Sequence, residues 1–171
     1  MTTDAQENPA RNPLALRLDW KFCHTPRTMK LLRRFMAETA ECCRAAEATF
    51  WVISSDGKRV EGAINSGKDK DEVEKLVVHA NDSVVGLIAT TGISACIGPG
   101  DFMNPEIKEK YGVRNMVVAP VMIDSEISGV VTAINVLEGD TFKPGDLETL
   151  QWKAYLLSLI LADADKNDDL N

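Results

Sequence analysis

The chain has 171 residues, enough for one domain that buries a core without disulfides or structural metals. It carries 19 Lys and Arg against 26 Asp and Glu, a net charge of −7, and no run gathers the basic residues into a patch, which excludes a phosphate backbone as partner. Cys23, Cys42, Cys43 and Cys96 show no C-x-x-C spacing, and His24 and His79 sit on no ligand-spaced motif, so reduced thiols in a cytoplasm are expected and a metal centre is not.

The amino terminus, Met1-Thr-Thr-Asp-Ala-Gln-Glu7, lacks the basic start of a signal peptide, and no apolar run approaches the ~18–20 residues of a membrane span, so a cytoplasmic protein without a membrane partner is expected. Residues 1–14, with Asn8, Pro9, Asn12 and Pro13, read as a disordered arm, residues 15–165 as one domain and residues 166–171 as an acidic tail. Thr25-Pro26 supplies an N-cap hydroxyl and a first-turn proline. Leu32, Phe35, Met36, Thr39, Cys43 and Ala46 then recur at helical spacing, predicting a first helix over 26–47. A hairpin follows, Ala48–Ile53 and Arg59–Ile64 around the turn Ser54-Ser-Asp-Gly57. Lys68–Glu74 reads as a solvated helical turn with Val73, Leu76 and Val77 on its buried side.

Asp82 or Ser83 caps a short helix over Val84–Thr91 that stops at Gly92, and Ile93–Ile97 reads as a strand closed by Gly98-Pro-Gly100. Asn104-Pro105 opens a second short helix that Gly112 stops. Val113–Ile123 and Ile127–Leu137 form a second hairpin, nearly continuous in Val, Ile, Met and Ala, so both of its faces should be covered. Phe142-Lys-Pro-Gly-Asp146 leads into a long last helix. In that helix Leu147, Leu150, Ala154, Leu157 and Leu161 form one stripe, and Trp152, Leu156, Leu159 and Ile160 form another. Only one stripe can face the sheet; the other is covered by the first helix or by a second copy of the chain. The elements together predict an α+β domain, an antiparallel sheet of about six strands between helices.

The order of these elements resembles that of a GAF domain. The matching strings are Ser83-Val-Val-Gly-Leu-Ile-Ala-Thr-Thr-Gly92, Tyr111-Gly-Val-Arg-Asn-Met-Val-Val-Ala-Pro-Val121, Ile127-Ser-Gly-Val-Val-Thr-Ala-Ile-Asn135 and Phe142-x-x-x-Asp146; with the first helix they span most of residues 28–162. The resemblance implies N- and C-terminal helices on one sheet face and, on the other, a small-molecule pocket roofed by short helices and loops. Cyclic-nucleotide members of the family carry an Asn-Lys pair, a Phe and an Asp-Glu pair. Here Asn135, Phe142 and Asp146 match while Val136 and Leu147 do not, so the motif's internal salt bridge is not expected and cyclic-nucleotide binding stays open. Bilin-binding members use a cysteine in the roof helix, often followed by histidine. The Cys23-His24 pair precedes the first helix instead, which argues against a photoreceptor. Members that reduce free methionine sulfoxide need paired pocket thiols, and this chain has no cysteine after Cys96.

For the pocket, the candidate apolar lining is Phe50 or Val52 on the first strand, Ile97 and Phe102 near the third, Met116 and Val118 on the fourth, and Thr132 and Ile134 on the fifth. Asp101, Arg114 and Asn115 are the polar candidates, and Ser83 opens a helix N-terminus suited to an anion. Against these stand core roles for Phe102 and Met116, a turn-capping role for Asp101 and a solvated one for Arg114. The leading expectation is a non-enzymatic sensor of an unidentified small molecule. It would dimerise through its first and last helices and signal to a separate protein, with no cofactor assigned. A ligand-free assembly module, thiol sensing through Cys42 and a methionine sulfoxide reductase are the alternatives.

Overall fold

A computed structural model describes residues 25–54, 56–101 and 105–168. The expected arm over 1–14 and the candidate Phe102 lie outside the described residues. Helix α1 (Pro26–Cys42) begins where the Thr25 hydroxyl accepts from the Thr28 N–H, and it buries Leu32, Phe35, Met36, Thr39 and Ala40. It ends before the expected residue 47 because Arg44 turns left-handed, φ +56°, and Ala45 opens strand β1 (Ala45–Ile53). A left-handed non-glycine residue costs about 1–2 kcal/mol. Arg44 is held there by its guanidinium, which forks onto the Asp146 carboxylate (Nε–Oδ1 3.1 Å, Nη2–Oδ2 2.7 Å), and by its carbonyl, which accepts from the Leu137 N–H.

Strand β2 (Arg59–Asn65) returns beside β1, followed by a single turn, α2 (Lys70–Val73), and a three-residue edge strand, β3 (Val77–His79). That strand was not expected: Val77, assigned to the buried side of a helical turn, is exposed on it. Helix α3 (Val84–Thr91) is capped by Ser83, whose hydroxyl accepts from the Gly86 N–H, and ends at Gly92 with φ +69°. Edge strand β4 (Ala95–Ile97), helix α4 (Pro105–Tyr111), strands β5 (Met116–Ile123) and β6 (Glu126–Val136) and helix α5 (Pro144–Asp168) complete the chain. Helix α5 thus continues through the first residues assigned to the acidic tail.

The six strands form one antiparallel sheet in the order β3-β2-β1-β6-β5-β4, and both of its faces are buried. On one face α1 and α5 cover Ala48, Phe50, Val117, Val121, Val131 and Ala133 with Leu32, Met36, Leu150 and Leu157. On the other, Trp51, Val60, Val118 and Val130 meet Val73, Val78, Val85 and Ile88 from α2, β3 and α3. Asn135, at φ +59°, shifts the alternation of β6, so Ala133 and Val136, three residues apart, both face the helices. The two stripes of α5 part company: Leu150, Ala154, Leu157 and Leu161 are buried, whereas the other stripe divides, Leu156 and Ile160 packing partly against the core and Trp152 and Leu159, with Tyr155 beside them, staying exposed.

Candidate functional site

Alternation along three adjacent strands sets one group of side chains beneath the roof. Glu47, Thr49 and Trp51 of β1, Thr132 and Ile134 of β6 and Met116 of β5 form a floor, with Thr49 directly opposite Thr132 and Ile134 between Glu47 and Met116. Val73, Leu76 and Val78 wall one side, and Ser83, Val84 and Val85 at the start of α3 wall another. Lys108 and Tyr111 of α4, with Val113 just past it, close over the top. They line a partly open cavity of about 60 Å3. That is smaller than the roughly 150 Å3 that admits benzene, so a bilin or a nucleotide fits only if the roof moves.

The floor is apolar with a few fixed polar atoms. The Asn65 amide donates to Thr49 Oγ1 at 2.8 Å and the Trp51 indole N–H donates to Thr132 Oγ1 at 3.0 Å. Both threonines are buried and both accept, so each hydroxyl still has its own proton to donate. Glu47 is half-buried. Burial and the nearby Asp69 charge raise its pKa above the ordinary carboxylate value, against the opposing pull of Lys68 and the Asn65 amide. Gly67 presses against this carboxylate so closely that a Cβ there would run into Glu47 Oε2. The Ser83 hydroxyl is engaged in the α3 cap and with the His79 carbonyl at 3.3 Å.

The wall bearing Val73 and Leu76 is bolted to the rest of the molecule. Glu74 receives both Arg33 guanidinium nitrogens of α1, at 2.5 and 2.9 Å, and the Asn65 N–H at 2.9 Å. The Gly62 N–H donates to the Leu76 carbonyl at 2.9 Å, and a Cβ on Gly62 would strike the Val73 carbonyl. An exposed Glu72–Lys110 pair at 3.7 Å joins α2 to α4 across the roof.

Of the residues singled out from sequence, Ser83, Met116, Thr132 and Ile134 line the cavity. Val118 and Ile97, on β5 and β4, pack on the same sheet face but neither lines the cavity. Phe50 and Val52 require correction: their even positions on β1 point to α1 and α5, and their odd-numbered neighbours Thr49 and Trp51 take the cavity face. Asn115 also requires it. Its Nδ2 donates to the Asp140 carbonyl at 2.8 Å and its Oδ1 accepts from the Val136 N–H at 2.9 Å, so the side chain ties the end of β6 rather than meeting the cavity. Asp101 caps a turn by accepting from the Gly98 N–H, and Arg114 is exposed outside the lining. Glu47, Thr49, Trp51, Lys108 and Tyr111 were missed.

Val136 stands where the motif would have its lysine, so that pair is absent, as expected, but Asp146 is paired all the same. Its partner is Arg44, from the turn between α1 and β1, and its Oδ2 also accepts from the Lys143 N–H at 2.7 Å. Among the described residues no cysteine lines the cavity. Cys42 and Cys96 are exposed, and Cys43 is buried against α5 with its thiol pKa pushed up to about 12 by burial. No group of three or more His, Cys, Asp or Glu side chains among the described residues is placed to hold a metal, and no described helix is long and apolar enough to cross a membrane.

The class of the molecule is thus an α+β domain, a six-stranded antiparallel sheet with paired helices on one face and a roofed cavity on the other. The GAF domain family model matches residues 28–161, and the chain belongs to that family. The fold is similar to the GAF domain of a phosphoenolpyruvate-protein phosphotransferase from Acinetobacter (TM-score 0.67, 15% identity, covering 92% of this chain and 96% of that one). It is also similar to the second GAF domain of DevS from Mycobacterium smegmatis (TM-score 0.69, 17% identity, 86% of this chain and 100% of that one). A third similar structure is a type II free methionine-R-sulfoxide reductase from Thermoplasma acidophilum (TM-score 0.60, 15% identity, 79% of this chain and 94% of that one). No curated protein sequence matches the chain.

Proposed function

We propose that this GAF domain is a non-catalytic cytoplasmic sensor that binds a small molecule between roof and sheet and passes its occupancy to the surface of α1 and α5. Two copies associate through that surface, and a separate signalling protein reads the pair. The observation that carries this reading is the cavity wall itself: Val73 and Leu76 flank Glu74, and Glu74 grips Arg33 of α1, so displacement of the wall by a ligand pulls on a helix of the opposite layer. Ser83, Met116, Thr132 and Ile134 are the ligand contacts this reading retains from the sequence.

The test is a thermal-shift screen of small amines, acids, amides and nucleotides on the wild type and on Val84→Phe, whose ring fills the cavity. A compound that raises the wild-type melting temperature and leaves Val84→Phe unmoved supports the reading. Binders that ignore the substitution, or a screen silent throughout, overturn it.

The exposed Trp152 and Tyr155, with ring centroids 5.4 Å apart, and the exposed Leu159 favour a second reading in which α5 serves assembly without any ligand. Sedimentation of wild type and Trp152→Glu, with and without a cavity binder, separates the two: a dimer that Trp152→Glu breaks and no binder alters is an assembly module.

A further inference from the structure

We infer that the cavity takes a small protonated amine on an apolar body, its ammonium seated against the Glu47 carboxylate. This rests on the reading of the cavity as a ligand site and adds the ligand's chemistry. Glu47 is the one carboxylate among the described lining residues, and among the described residues no Lys or Arg lies within ion-pair distance of it. It is fixed on a strand, backed by Gly67 and drawn half out of water.

The charged and titratable groups around it do not complete its pairing. Lys68 and the Asn65 amide favour its ionised form, burial and Asp69 oppose it more strongly, and the balance leaves the carboxylate under-compensated. A half-buried carboxylate lacking a cation gains a charge-assisted hydrogen bond when an ammonium arrives. Lys108 lines the same cavity, but its side chain is exposed and flexible enough to turn its charge to water.

Strand geometry then lays out the rest of the ligand. Glu47, Thr49 and Trp51 share one face, with their Cα atoms spanning roughly 13 Å. An ammonium at Glu47 therefore directs its carbon skeleton over Thr49 toward the indole, between Val84 and Ile134. The small volume limits that skeleton to a handful of atoms, and the chain's net charge of −7 favours the approach of a cation over that of an anion.

Three compounds with one branched skeleton test the inference on the full chain at neutral pH: isobutylamine, isobutanol and isobutyrate, titrated by amide chemical shifts. The amine should bind about tenfold tighter than the alcohol, and the acid more weakly than either. Glu47→Gln, an isosteric change that removes a poorly compensated charge, should bring the amine to the alcohol's affinity and leave the alcohol unchanged. An acid that binds as tightly as the amine, or an amine preference that survives Glu47→Gln, overturns the inference even while cavity binding stands. Silence from all three at millimolar concentration also overturns it, whereas the sensor reading falls only if the wider screen is silent too.

Discussion

Arg44 and Asp146, 102 residues apart, form a two-pronged ion pair that fastens the turn between α1 and β1 to the first turn of α5. Burial works against the Asp146 charge, but the Arg44 hydrogen bond, the Lys143 N–H and the Arg44 charge together hold its pKa below the ordinary value of about 3.9. A carboxyl depressed on folding stabilises the native state above its unfolded pKa, and that contribution fades as pH falls through the lower folded value. Asp146→Asn should therefore cost about 1–3 kcal/mol at neutral pH. The gap between variant and wild type, measured by urea unfolding from pH 7 downward, should close below pH ~4. A gap independent of pH would show that the charge of Asp146 contributes nothing.

The layer order was legible in the sequence because each element carried its own punctuation: Thr25-Pro26, Ser83 with Gly92, Pro105 with Gly112, and the Pro144 start of α5. The cavity face was not, because β1 is buried on both sides from Ala48 to Val52 and apolar content there gives no phase. The phase lay in the polar residues. Glu47 and Thr49, two apart on an otherwise apolar strand, mark the face that also carries Trp51, and Thr132 marks it on β6. Asn115 misled because a buried asparagine beside a strand serves a ligand or the backbone equally well by type, and only its partners, the Asp140 carbonyl and the Val136 N–H, decide. Edge strand β3 was hidden by its length of three residues and the exposure of Val77.

Gly62 sets how closely the α2 wall approaches the sheet. A methyl at this position runs into the Val73 carbonyl and pushes aside the segment whose Leu76 carbonyl receives the Gly62 N–H. Gly62→Ala should destabilise the fold by about 1–3 kcal/mol and accelerate amide exchange across residues 73–78 ahead of the rest of the sheet. Uniform exchange, or unchanged stability, would show that the wall yields freely.

The three described thiols should separate in reactivity. Cys42 and Cys96 are exposed, whereas Cys43 lies fully buried against α5, with its Sγ 3.9 Å from the Asp146 carbonyl and its pKa pushed up to about 12. With Cys23 replaced by serine, a disulfide-exchange reagent at pH 8 should label two thiols per folded chain promptly and the third only on unfolding. Prompt labelling of all three would show that the α1–α5 contact opens readily.

The Arg33–Glu74 pair should be unequal in stability and decisive in coupling. Arg33 is partly exposed, so Arg33→Ala loses a screened ion pair and should cost ~0.5–1 kcal/mol. Glu74 also accepts from the Asn65 N–H, and Glu74→Ala leaves that group without its acceptor, for a cost of about 1–2 kcal/mol. Urea unfolding measures both. In a chain that dimerises in response to a cavity binder, Arg33→Ala should retain the binder's affinity while flattening the dimer's dependence on it, since the variant spares every lining side chain and cuts the link from wall to α1. A dimer response that persists undiminished in Arg33→Ala would route the coupling elsewhere, through the sheet that β1 and β6 share with both helices.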